Sequence, residues 1–96
     1  MTTDVTCQFD DPRHAGASAE DVCAMFAEQV AEAAPGKRLA ITIKAPTSRQ
    51  AEAIVRDGDG TVIAENQFDV MDTQLGHSTW EDFAAATARA VAKLGM

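Results

Sequence analysis

Between Lys37 and Met71 apolar and polar residues alternate, with breaks at Pro46-Thr47-Ser48-Arg49 and at Asp57-Gly58-Asp59-Gly60. A period of two places successive side chains on opposite faces of an extended chain. Asp-Gly between two such runs is a strong short-range hairpin signal. The segment therefore reads as three consecutive antiparallel strands, at about 37–45, 51–56 and 61–71. In the first of them Leu39, Ile41 and Ile43 point one way, and Arg38, Ala40, Thr42 and Lys44 the other.

The hairpin pattern also predicts a register. A two-residue turn at Gly58-Asp59, or a four-residue loop over 57–60, sets Val55 opposite Val62 and Ala53 opposite Ala64 on the core face. On the other face Ile54 then meets Ile63, and Glu52 meets Glu65. Two carboxylates directly opposed repel. Matching the core faces of the preceding strand puts Ile41 beside Val55, Ile43 beside Ala53, and Lys44 beside Glu52, where its charge offsets that repulsion. Ile54, Ile63 and Thr42 become neighbours on the outer face, a possible homodimer surface.

Two amphipathic helices flank these strands. Ser18 is a candidate N-cap with Asp21 three residues on. Val22, Phe26, Val30 and Ala33 then form an apolar stripe that Pro35-Gly36 terminates. The second helix is expected to start at Ser78 or Thr79, each followed by an acid in capping-box spacing, and to stop at Gly95. Trp80, Phe83, Thr87, Ala90, Val91 and Leu94 line one side of it. Near the start of the chain Val5, Cys7 and Phe9 alternate, which suggests a short edge strand over 4–9 before a loop. The expected fold is α+β in the order (β)αβββα: a three- to four-stranded antiparallel sheet with two helices on one face. The predicted core is Val22, Phe26, Val30, Leu39, Ile41, Ile43, Val55, Val62, Phe68, Phe83, Val91 and Leu94.

Ninety-six residues allow one compact domain, residues 1–96. Of the 46% apolar residues, 19 are alanine. That suits one small core and leaves little for a walled active site. No apolar run is long enough to span a bilayer, and no basic-then-apolar leader is evident. Cytoplasmic residence is therefore the expectation, with Cys7 and Cys23 as reduced thiols.

The net charge is −7, unevenly spread. Residues 1–36 carry seven acids and one base, residues 37–56 five bases and one acid, and residues 57–96 seven acids and two bases. Such a chain repels nucleic acid and anionic membranes and attracts basic partners. Two acidic surfaces are expected. One is a ridge on the first helix, Asp21, Glu28 and Glu32; the other joins Asp69, Asp72, Glu81 and Asp82 between the last strand and the last helix.

The order α-β-β-β-α over about 18–94 resembles that of double-stranded-RNA-binding domains. In that family the second helix opens on a basic cluster. Here the matching positions are Ser78-Thr79-Trp80-Glu81-Asp82, so no phosphate-binding residue carries over and RNA binding is not expected. Asp57-Gly58-Asp59-Gly60-Thr61 lacks the Gly and Glu that a calcium loop needs at its sixth and twelfth positions. His14 near Asp10, Asp11 and Cys7 has no structural-zinc spacing. Cys23 with a histidine makes a dyad only if the fold brings them together.

No catalytic, cofactor or metal site is therefore expected. The best-supported expectation is a small acidic, non-enzymatic protein-binding module. It would be a stoichiometric inhibitor occupying a basic, nucleic-acid-handling surface of its partner. In size and charge it is similar to phage anti-CRISPR proteins, DNA mimics and toxin-immunity proteins. A self-associating structural or chaperone-like adaptor is the alternative, and a small enzyme or ligand binder a more distant one.

Overall fold

The computed structural model describes residues 5–10, 12–34, 36–70 and 75–94. Strand β1 (Val5–Asp10) leads through a short 3-10 turn (Pro12–His14) into helix α1 (Ala19–Ala33). Strands β2 (Leu39–Thr47), β3 (Gln50–Asp57) and β4 (Val62–Asp69) follow, then helix α2 (His77–Leu94). The sheet order is β1-β2-β3-β4. The fold is α+β, and the sheet is mixed but mostly antiparallel. β1 joins it parallel to β2, because α1 crosses between them and returns the chain to the same end.

Local chemistry accounts for the helix ends. The Ser18 Oγ accepts from the Asp21 amide at 3.1 Å, as the cap spacing predicts. Helix α2 instead begins at His77, where the Trp80 amide donates to the Gly76 carbonyl at 3.0 Å. It therefore starts a residue or two before either expected cap. The β2–β3 turn also holds the chain after β4 and before α2: Val70 donates to the Arg49 carbonyl, and Leu75 to that of Ser48.

The β2–β3 register is the expected one, with Ile41 opposite Val55, Ile43 opposite Ala53 and Lys44 opposite Glu52. The β3–β4 register is not. Val55 faces Ala64, Ala53 faces Asn66, Glu52 faces Gln67 and Ile54 faces Glu65. Two one-residue slips produce this shift. The turn holds three residues, since the Asp57 amide donates to the Thr61 carbonyl and the Gly60 amide to the Asp57 carbonyl. Gly60 sits at φ +86, the left-handed position such a turn requires. The Asp57 carboxylate secures it by accepting from the amides of Asp59 and Thr61. Arg56 then pairs with Val62, and Ile63 is the extra residue of a bulge before Ala64 regains the core face.

The core lies between the sheet and both helices. Val22, Phe26, Val30, Leu39, Ile41, Ile43, Val55, Phe83 and Val91 are buried as expected, and Phe68 is partly so. Val62 is not a core residue: the slip leaves it 45% exposed. The side chain of Leu94 lies outside what the structure describes. Trp80 is fully buried and meets Phe9, Phe26 and Phe83 at ring-centroid distances of 5.4, 6.2 and 6.0 Å. Much of the remaining interior is alanine, including Ala45, Ala51, Ala53 and Ala84, which lets strands and helices approach closely.

The two cysteines are not free thiols. Cys7 on β1 and Cys23 on α1 are joined in a disulfide. Both residues face the interface between strand and helix, and the bond crosses it. None of the described helices is long and apolar enough to cross a membrane.

Candidate functional site

Helices α1 and α2 lie side by side, and their outer seam collects acids from two distant parts of the chain. Glu28 from α1 and Glu81 and Asp82 from α2 line one groove, with Met25, Gln29, Ala84 and Ala85. The helical spacing explains the meeting. Met25 and Glu28 are three residues apart on one face of α1, and Glu81 and Ala85 are four apart on α2. Short alanine side chains leave the groove open between the longer acids. Glu28, Glu81 and Asp82 are all exposed, so the charges stand at the rim.

Farther along, Glu32 and Ala33 of α1 face Ala85, Ala88, Arg89 and Ala92 of α2. Arg89 makes this stretch mixed in charge. The most acidic part of the seam is therefore its first half. Toward α2's start, His77 Nδ1 lies 2.9 Å from Glu81 Oε1, an exposed pair one helical turn apart.

Asp21, Glu28 and Glu32 are all exposed on α1, and Glu28 shares its groove with Glu81 and Asp82 of the second expected surface. Asp21 is exposed one turn before Met25, on the α1 side of the seam. Asp69 belongs elsewhere. Its neighbour Phe68 packs against Phe83 at 5.4 Å on the helix side, so Asp69 points to the opposite sheet face, at the register position of Gln50. Glu81 and Asp82 line the helix groove, while Asp69 lies on the sheet face away from the helices. Asp72 lies outside the described residues.

The proposed apolar patch is also not formed. Thr42 and Ile54 are paired as expected, but Ile54's other neighbour is Glu65. Ile63 is partly buried on the helix side, lining a hollow with Ala34, Leu39 and Val91. The outer sheet face instead carries a polar row, Asp10, Lys44, Glu52 and Gln67. There the Gln67 amide donates to Glu52 at 3.2 Å, replacing the expected clash of two carboxylates.

The disulfide removes Cys23 as a nucleophile in this state. Among the described residues no three His, Cys, Asp or Glu side chains converge as a metal site. No family model, curated protein or solved structure matches the chain. Sequence reasoning missed the shared groove because it treated each helix's acids separately. The signal was available in the stripes themselves: fixing the core faces of both helices also fixes which acids flank their junction.

Proposed function

We propose that the domain is a non-catalytic protein-binding module, acting as a stoichiometric inhibitor that seats the α1–α2 seam on a basic protein surface. The observation that supports this reading is the convergence of Glu28, Glu81 and Asp82 on one groove with alanine between them. Exposed carboxylates at a rim attract a cationic partner over roughly a Debye length, about 10 Å at 0.1 M salt. The small side chains admit a partner's side chains between the helices. The net charge of −7 adds long-range attraction of the same sign.

The disulfide bears on the setting. Disulfides persist in oxidising compartments and are rare in reducing cytosol. The reading therefore places the encounter in an oxidising compartment, rather than the cytoplasm expected from the sequence. It favours a basic protein surface met there over cytosolic nucleic-acid machinery.

Titration calorimetry with a synthetic Lys/Arg-rich helical peptide tests the proposal. Binding to the Glu28→Gln/Glu81→Gln/Asp82→Asn variant should be weaker by about tenfold or more, with a shallower salt dependence. Equal affinity for both proteins would refute the seam as the binding surface.

A further inference from the structure

Strand β1 is held differently from the other strands. None of its six residues is fully buried, whereas β2, β3 and β4 each bury at least one. It lies at the edge of the sheet and pairs in parallel, the slightly weaker arrangement. Val5, Cys7 and Phe9 cover the core only in part. Downstream, the chain is pinned where the Trp80 indole Nε1–H donates to the Ala15 carbonyl at 2.7 Å. Upstream of that pin, the one covalent tie is Cys7–Cys23, from the middle of β1 to α1.

We infer that the Cys7–Cys23 disulfide is a redox latch on β1. Closed, it holds the strand against β2. Opened by a dithiol, it releases residues 5–10 and uncovers the β2 edge and the side of Trp80 that Phe9 covers.

The chemistry is thiol–disulfide exchange. One thiolate of the donor attacks a sulfur of the pair, forming a mixed disulfide and expelling the other cysteine as a thiolate. The donor's second thiolate then attacks the donor sulfur in the mixed disulfide and displaces the remaining cysteine. Two electrons pass to the protein sulfurs, which take up the two protons the donor gives up, and the donor leaves as its own disulfide. Cys7 and Cys23 are each partly exposed, which leaves the bond approachable.

The consequence is local, because β2, β3, β4 and both helices carry the buried core between them. Losing a cross-link over a sequence separation of 16 raises the opening of β1 by about 100-fold. What opens is a strand edge over residues 39–44, whose unpaired amides and carbonyls can accept another extended segment.

Amide hydrogen exchange on the oxidised chain and on the same chain reduced with dithiothreitol tests the latch. Far-UV circular dichroism and emission from Trp80, the only tryptophan, are read alongside. On reduction the helical signal should persist, Trp80 emission should shift to the red, and the β2 amides that face β1 should lose protection about 100-fold. The Cys7→Ala/Cys23→Ala variant should show the same pattern without reductant. Retained protection at the β2 edge in the reduced chain would overturn the inference. So would an equal loss through α1, α2 and β3, since the bond would then support the whole domain rather than one strand.

Discussion

The Trp80 indole Nε1–H donates to the Ala15 carbonyl oxygen at 2.7 Å, joining residues 65 apart in sequence at a fully buried position. The same ring makes T-shaped contacts with Phe9 and Phe26. One side chain thus fixes the path of the chain between β1 and α1 and anchors the start of α2. Replacing it by phenylalanine removes the donor and leaves a buried carbonyl without its partner. We expect Trp80→Phe to lower unfolding free energy by about 2–4 kcal/mol, measured by urea denaturation followed by circular dichroism.

Two glycines with positive φ separate backbone strain from steric exclusion. Gly16, at φ +70, has the Leu75 carbonyl where a Cβ would stand; Gly60, at φ +86, has open space. Gly60→Ala should cost about 1–2 kcal/mol from its left-handed backbone alone. Gly16→Ala should cost clearly more, because backbone must move on one side or the other. Thermal melts of the two variants give the ordering, and equal melting temperatures would contradict the close approach at Gly16.

The slipped register makes neighbouring residues unequal. Ile63 packs under α2, while Val62 is exposed. Ile63→Ala should destabilise by about 1–3 kcal/mol, and Val62→Ala by no more than about 0.5 kcal/mol. The unslipped hairpin predicts the reverse, with Val62 in the core.

How far the fold was legible follows from how local each signal is. The stripes Val22-Phe26-Val30 and Leu39-Ile41-Ile43 are periodic, so they indicate both element type and buried face, and both are buried as read. The Ser18 cap is a contact within four residues and was equally readable. The β3–β4 register depended on a turn length that Asp57-Gly58-Asp59-Gly60 leaves open. A three-residue loop and a bulge at Ile63 both fit an even spacing of apolar residues. The parallel placement of β1 and the Cys7–Cys23 bond are long-range facts with no local pattern. The acidic seam was half legible: each helix showed its own acids, but only packing brings Glu28 to Glu81 and sends Asp69 to the far face.

Neutralising the seam should leave the fold intact, because Glu28, Glu81 and Asp82 are exposed. The triple variant Glu28→Gln/Glu81→Gln/Asp82→Asn should unfold within about 1 kcal/mol of the parent, as exposed charges contribute little. Its association with a cationic partner should slow, and most visibly at low salt. Stopped-flow association rates at two salt concentrations measure this.

The most direct test of the protein-binding account is nuclear magnetic resonance mapping of a Lys/Arg-rich helical peptide titrated into the oxidised domain. Shift changes should concentrate at Met25, Glu28, Glu81, Asp82 and Ala85 and disappear in the triple variant. Changes spread evenly over Asp57, Asp59, Glu65 and Asp69, or unchanged by neutralising the seam, would contradict it.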